Sequence, residues 1–501
     1  MPNRSPSLGE GSLLAAIDLG SNSFHLIVAR LEHGELKPIE TLAEKVQLGA
    51  GLRRGKLAKD AIDRGLACLA RFAQLLGSIE PSRIRVVGTN ALRQAKNRRE
   101  FTEAAEEILG VPVDVVYGRE EARLVYVGVA HTLADDEHSR LVVDIGGGST
   151  EFIVGQRFEP TRMESLQIGC VSYAETFFGK GQISKKCYQA AYDQTLIEVS
   201  HIRKHYRSKH WVEAVGSSGT LQAIELLVTM AGWRQEGIDR KSLEKLRKKL
   251  LGYEHADRLD LVGLNDNRRY VIAAGVAITE AIFDGLGIDV MRTSPGALRE
   301  GVLYDLIGRL QHEDVRERTI SALLARYNAD EATATLLGNR VAWLSESVAP
   351  VWKFTENDVE LLQWAGRCHE IGVAIAQKHF NRHSAYLLQN SDLPGFSQQE
   401  QELMATIVRG LTGKIRAELF TGLSGITKVK VKKMIALLRV ASIFKYVEEL
   451  EALPEFVVSA NQESLSLSFP EGWCEQHPLT TWELGEAQTA FAKLGVSVQL
   501  N

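Results

Sequence analysis

The chain has no paired-cysteine pattern, no long apolar run and no excess of positive charge. Its five cysteines (Cys68, Cys170, Cys187, Cys368 and Cys474) are odd in number and scattered, with no CxxC spacing. That argues against a disulfide framework and a structural zinc site, and predicts the reduced thiols of a cytoplasmic protein. The opening residues, MPNRSPSLGEGS, carry no apolar signal core. No later stretch approaches the roughly 18 apolar residues that a membrane helix needs. A cytoplasmic location is the expectation, with peripheral membrane association left open. The net charge of −4 gives no global pull toward nucleic acid, so nucleic acid is not an expected partner. A polyanion ligand would need local basic patches. No low-complexity linker separates the segments, so the domains are expected to pack together.

What is present is ordinary for a globular protein: 501 residues, 45% hydrophobic and 24% charged. That length suggests about three domains. Within it lies an internal repeat. LLAAIDLGSNSFHLIVARL (13–31) aligns with RLVVDIGGGSTEFIVGQRF (140–158), matching Asp18 to Asp144, Gly20 to Gly146, Ser23 to Ser149 and His25 to Glu151. The spacing is too long for a solenoid and suits two similar α/β domains in tandem. Each copy reads as strand, tight turn, strand. Helices are predicted at 58–77, 99–109, 118–133, 184–206, 221–231, 241–251, 267–285 and 297–310, with strands at 84–89, 113–117, 211–220 and 288–296. Residues 314–450 read as helical, broken at Pro350 and around Asp392–Gly395. A hairpin at 456–469, a helix at 485–494 and a strand at 496–500 close the chain.

The two repeats carry the chemistry. Gly20, Gly146, Gly147 and Gly148 remove side chains, so backbone N–H groups can close around phosphate oxygens. Ser21, Asn22, Ser23, Ser149 and Thr150 add polar side chains. Asp18 and Asp144 each end a first strand and are expected to face each other across a cleft. Two carboxylates beside phosphate suit Mg²⁺, which takes few protein ligands and keeps its waters. One such turn is an ordinary hairpin; two in register point to a phosphate site. A third glycine turn, Gly216-Ser217-Ser218-Gly219, precedes a helix, where backbone donors suit an anion. Glu120 and Glu121 open a helix, where acids complement the dipole; near phosphate, a glutamate there is a candidate to orient or deprotonate water. Arg93, past a strand end, is a candidate bidentate phosphate clamp.

The set IDLGSNSFHLIV, GTNALRQAKN, GREEARL, VDIGGGSTE, AVGSSGT and ALREGVLYD resembles the exopolyphosphatase / guanosine pentaphosphate phosphatase family, in order, over residues 13–310. RHSAYLLQNSDLPGF (382–396) extends the likeness to its long, exopolyphosphatase-like members. The resemblance implies an α/β fold of duplicated actin-like (ribonuclease H-like) domains at 1–130 and 131–310. An all-α HD-like domain at 311–450 and a small α+β domain at 451–501 would follow. It implies Glu121, Arg93 and Glu151 as catalytic residues, with Asp144, Glu151 and Asp18 at Mg²⁺ and a monovalent cation such as K⁺ as a further candidate. It also implies a homodimer. CHEIG (368–372) sits where HD-type phosphohydrolases hold metal, but Glu370 and Ser442 replace two expected aspartates, and His312 is the one upstream histidine. His369 is therefore read as structural.

The expected activity is release of orthophosphate from inorganic polyphosphate, with guanosine pentaphosphate (pppGpp) as the alternative substrate. The lysine-rich stretches KSLEKLRKKL (241–250) and KVKVKK (428–433) suggest either solvated helix faces or a path for a long polyanion. A small-molecule kinase of the same fold and a non-catalytic phosphate sensor are the rival classes.

Overall fold

The computed structural model describes residues 8–32, 35–133, 138–311, 314–444 and 456–500. The chain divides into two compact units, Met1–Val315 and Arg316–Asn501.

The first unit contains two sheets of one design. In the first sheet the order is Glu35–Lys45, Ser23–Glu32, Leu13–Leu19, Ile84–Gly88, Val113–Val115. The first three strands are antiparallel and the last two add in parallel. The second sheet runs Glu159–Leu166, Thr150–Gln156, Ser139–Ile145, Glu213–Ser217, Val290–Thr293, with Ile238–Asp239 at the edge. Its first five strands repeat those senses. The register repeats too: Asp18 lies opposite His25, and Asp144 opposite Glu151. The aligned repeat is thus a duplication in space. LLAAIDL and SRLVVDI are apolar on both faces because each is central and covered from both sides.

Glu159–Leu166 was not expected as a strand. Its sequence EPTRMESL has Pro160 and no apolar alternation. It forms at a sheet edge, where proline and charge are tolerated, and its register shifts between Pro160 and Arg162.

Two helices, Gly118–Ala130 and Leu298–Leu310, tie the sheets together. Leu14 and Ala16 of the first sheet share one core with Val142 and Ile153 of the second and with Leu298 and Val302. The helices cross at glycine: a Cβ on Gly301 would lie 1.8 Å from the Leu124 carbonyl oxygen, and one on Gly128 2.1 Å from that of Ala297. A buried ion network lies alongside. Asp305 accepts from Arg85, Arg123 and, at 3.0 Å, Arg309. Arg123 also grips both oxygens of Glu120 at 2.8 Å. Burial alone would raise the Asp305 carboxyl, but the arginines, Arg123 foremost, hold it well below the carboxylate range.

In the second unit, helices Val315–Arg326, Glu331–Trp352, Glu356–Arg367, Phe380–Asn390, Gln398–Arg409 and Gly425–Ile443 precede a small α+β ending. There, strands Val457–Ala460, Ser464–Ser468 and Ser497–Leu500 form one sheet beside helix Pro478–Leu494. Trp352, Leu438 and Phe444 share a core with Leu465, Phe491 and Val498, so helices and strands pack as one body. Pro350 does not break its helix as expected. It falls in the last turn, and the helix stops at Lys353, whose backbone is left-handed. The anchor is Trp352, buried and donating its indole N–H to the Asn461 carbonyl at 2.6 Å. The break around Asp392–Gly395 is present, between the helices ending at Asn390 and starting at Gln398. The expected end of the helical region and the boundary at 451 lie outside the described residues.

Gly301→Ala is expected to destabilise the first unit by about 1–3 kcal/mol, because the added methyl has no room at the crossing. Thermal melting checks it; an unchanged midpoint would sink the close-crossing account.

Candidate active site

The two glycine loops meet. A Cβ on Gly147 would lie 3.1 Å from the Ser21 Cβ and 3.4 Å from the Asn22 nitrogen, and one on Gly148 2.5 Å from the Asn90 side-chain oxygen. Loop carbonyls are engaged from behind. Val46 and Gln47 donate to the Asn22 oxygen, Gly49 to Ser21, Cys170 to Gly146, and Val171 and Ser172 to Gly147. What the loops offer an anion is therefore their N–H groups and hydroxyls. Between them opens a cleft of about 300 Å³, lined by both loops from Gly20 to Ser23 and from Gly146 to Ser149. The third glycine turn contributes Ser218 and Gly219. Ser218 has φ of 95°, an uncommon conformation for serine, and caps helix Gly219–Met230 by accepting from Leu221. That helix start is a second source of anion-binding dipole.

Four carboxylates line the same cleft: Asp18, Glu121, Asp144 and Glu151. Burial, then the charge of Glu121, pushes Asp144 up to about 7, against the lowering influence of the neighbouring Ser217 hydroxyl. Burial raises Glu121 as well, opposed by Arg93. Glu151 is held well above the carboxylate range by burial, then by Glu121 and Asp144. Each is positioned by a different element. Arg93 Nη1 donates to Glu121 Oε2 at 2.7 Å and to the Val116 carbonyl at 2.9 Å. Ser165, on the unexpected edge strand, donates to Glu151 Oε1 at 2.8 Å. His25 Nδ1 lies 3.3 Å from Asp18 Oδ2, while Asp18 Oδ1 is buried without a partner.

Not every expected residue reaches the cleft. Arg93 stands behind Glu121 rather than among the lining residues, and its Nη2 is buried without a partner. Thr150 points the other way, its hydroxyl donating to the Ile168 carbonyl at 2.5 Å. Ser217 is fully buried and donates to the Gly296 carbonyl at 3.1 Å, and Gly216 lies within the strand. Conversely, Asn90, Cys170, Thr220, Gln222, Arg268 and Arg299 line the cleft and were not anticipated. Arg268 lies over the third glycine turn: a Cβ on Gly219 would lie 2.0 Å from its Nη2. It escaped notice because residues 267–285 read as one helix, on which an arginine looks solvated. The helix begins at Ile272, and Arg268 closes a separate short turn.

The donor set suits a hard divalent cation. Mutually repelling carboxylates and an orphaned Asp18 oxygen are what such an ion would compensate. Among the described residues no three His, Cys, Asp or Glu side chains form a ready-made metal cage. In the second unit His369 is buried, its Nδ1 bound to the Gly366 carbonyl at 2.8 Å, and the Ser442 hydroxyl donates to the Arg439 carbonyl. His312 lies outside the described residues. The lysine-rich helices are partly committed locally. Arg247 pairs with buried Glu280, Lys248 with Glu244 and Lys430 with Asp358, and Lys432 and Lys433 lie over Phe420 and Trp352.

Comparison with known proteins places this geometry. The profile of the Ppx/GppA phosphatase family matches residues 27–310, and that of Ppx/GppA phosphatase, domain III, matches 315–488. The chain is 37% identical over 492 residues to a guanosine-5'-triphosphate,3'-diphosphate pyrophosphatase of Pseudoalteromonas translucida, covering 98% of each chain. It is 39% identical over 482 residues to the protein of that name from Vibrio vulnificus, covering 95% of each. Among solved structures, the Aquifex aeolicus member of the Ppx/GppA family is 28% identical with a TM-score of 0.50, covering 60% of this chain and 98% of that one. An exopolyphosphatase from Cytophaga hutchinsonii shares the fold at 22% identity and a TM-score of 0.55, covering 60% of this chain and 98% of its own. The chain belongs to the Ppx/GppA phosphatase family and is a phosphoanhydride hydrolase of that family.

Proposed function

We propose that the chain hydrolyses the terminal 5'-phosphate of guanosine pentaphosphate, releasing orthophosphate and leaving guanosine tetraphosphate. The observation that carries this reading is the match, over nearly the whole of both chains, to relatives named for that substrate. The cleft supports it. Among its described lining residues the arginines are Arg268 and Arg299, there is no lysine, and Val125, Ile145, Pro295 and Leu298 give it apolar sides. Such a pocket suits a nucleoside better than it suits a long run of phosphates. This reverses the order of substrates expected from the motifs and lysine clusters. Inorganic polyphosphate is the second reading, since the loops would grip its terminal phosphates equally well.

In this mechanism the γ-phosphate lies between the Asp18 and Asp144 loops, whose N–H groups and hydroxyls bind its oxygens. Asp18, Asp144 and Glu151 would hold Mg²⁺, which when bound would neutralise phosphate charge. Glu121, its carboxyl raised by burial and held by Arg93, orients a water and takes its proton. The water oxygen bonds to the γ-phosphorus as the bond to the β-phosphate oxygen breaks, and that oxygen leaves with the nucleotide. Arg93 is thus a positioning group for Glu121 rather than a phosphate clamp. The same reading carries the finer expectations: four domains at 1–130, 131–310, 311–450 and 451–501, an HD-like helical region without its metal site, K⁺ as a further ion, a homodimer and a cytoplasmic location. No described helix is long and apolar enough to cross a membrane.

Phosphate release from guanosine pentaphosphate and from long-chain polyphosphate, measured side by side, should give the nucleotide the higher kcat/KM. A tenfold preference for polyphosphate would reverse the assignment. Glu121→Gln should abolish turnover while leaving substrate binding within about tenfold, since it keeps the shape and removes the base. Near-normal turnover would remove Glu121 from its role.

The raised Asp144 pKa has a consequence for stability. The folded state holds that proton more tightly than the unfolded chain. The resulting stabilisation is complete below the ordinary aspartate range and is lost as pH rises through about 7. With chelator present, melting should therefore fall between pH 6 and pH 8, and Asp144→Asn should flatten that fall. Mg²⁺ should raise the midpoint at pH 8 in the native chain more than in the variant; equal shifts would take Asp144 out of the ion site.

A further inference from the structure

The glycine loops grip phosphate with N–H groups and hydroxyls, because ionised phosphate oxygens accept hydrogen bonds and have none to give. Gln222, which also lines the cleft, presents the opposite chemistry. Its Nε2 donates to the Ser294 carbonyl at 2.9 Å. A carbonyl can receive only the amide nitrogen, so the side-chain oxygen is turned the other way. Among the described residues no hydrogen bond reaches that oxygen. The support beneath it is firm. Ser294 is buried; its N–H donates to the Gly216 carbonyl at 2.9 Å, and its hydroxyl accepts from the Gly296 N–H at 3.1 Å and lies 2.9 Å from that of Thr132. The Gln222 oxygen is therefore an oriented acceptor on an anchored turn.

Its position suits the far end of a nucleotide. Helix Gly219–Met230 begins at the third glycine turn, where Ser218 and Gly219 line the cleft. Gln222 follows Gly219 by three residues, on the same face and about 5 Å farther along the helix. Thr220 is buried there, whereas Gln222 is exposed. Beside it stands Pro295, whose ring nitrogen is joined to the same Ser294 carbonyl. Pro295 is exposed and lines the cleft. A flat heterocycle needs both features: an apolar surface for its face and a placed polar group for its edge.

We infer that Gln222 reads the base of the substrate, its side-chain oxygen accepting from the N1–H and the N2 amino group of guanine while the Pro295 ring covers the face of the base. This rests on the nucleotide reading above and names the group that makes it selective. The chemistry narrows the partner. Inorganic polyphosphate has no N–H to offer an acceptor. In guanosine pentaphosphate the 3'-oxygen is phosphorylated, so the donors that remain are the ribose 2'-hydroxyl and the guanine edge. Guanine presents two N–H groups side by side, matching the two lone pairs of an amide oxygen. Adenine has a bare N1 and no amino group at C2, so it would set an acceptor against an acceptor. A site that hydrogen-bonds a substrate N–H rejects the analogue lacking it.

The test measures kcat/KM for guanosine pentaphosphate and for its adenosine counterpart, in the native chain, in Gln222→Leu, which removes the acceptor, and in Gln222→Glu, which keeps one. The native chain should favour guanine by about tenfold or more, and Gln222→Leu should bring the ratio to within about threefold of unity. Gln222→Glu should retain the preference. Loss of the tie to Ser294 alone would lower both nucleotides together and leave the ratio as it was, which overturns the inference. A preference lost equally in both variants also overturns it, because it then follows the Ser294 bond and not the acceptor. So does a native chain indifferent to the base. The 2'-deoxy form of guanosine pentaphosphate is the remaining arm: if Gln222→Leu changes the ribose-to-deoxyribose ratio and not the base ratio, the oxygen reads the sugar and the inference falls. The base ratio compares two nucleotides, so its failure is a separate result from a preference for polyphosphate, which would overturn the substrate reading.

Discussion

Four carboxylates that repel one another are held in one cleft, three of them buried, and the first unit is organised around keeping them there. Unopposed, they would separate or draw in water. Each is fixed by a different element: Asp18 and Asp144 at the ends of central strands, Glu151 directly across the hairpin from Asp144, Glu121 on a helix. The duplicated sheets supply the first pair. Glu121 requires the helix that carries it to be immovable, and the glycine crossing with Leu298–Leu310 meets that requirement by bringing two backbones into contact. Adjacent acids on that helix divide the work. Glu120 faces the buried arginine network, where its charge is matched, and Glu121 faces the cleft, where the match is left to Arg93 and to whatever binds.

Much of this was legible before any coordinates, for physical reasons. A glycine turn between apolar strands determines a hairpin, and the alignment of His25 with Glu151 already contained the cross-strand register. What was not legible depended on facing and burial. Thr150 was grouped with Ser149 and Glu151, although side chains alternate along a strand and Thr150 must face away from both. Ser217 lies beside Asp144 in the neighbouring strand but is fully buried and does not line the cleft. Glu120 and Glu121 look alike at a helix start, and only the packing of Arg123 and Arg93 separates them. Ser165 lies on a strand whose charge and proline hide it, and Arg268 lies in a turn whose sequence continues the period of the next helix. Each of these is a tertiary contact imposed on an unremarkable local pattern.

Substrate identity is of the same kind. The glycine loops respond to phosphate oxygens, which guanosine pentaphosphate and polyphosphate share. Motifs built from those loops identify the reaction and cannot rank the substrates. The side walls of the cleft are what differ, and they come from scattered positions such as Val125, Gln222, Pro295 and Leu298. Overall charge was equally uninformative, because a net of −4 averages an acidic cleft with basic surfaces elsewhere.

That averaging conceals a separation of tasks. A cleft lined by four carboxylates is a poor place to hold a long polyanion, whose every additional phosphate would add repulsion; it can take a few phosphates, with a cation to compensate. One of those carboxylates is fixed by the edge strand Glu159–Leu166, whose Ser165 donates to Glu151. The strand that local sequence disguised best is thus the one that orients a cleft carboxylate.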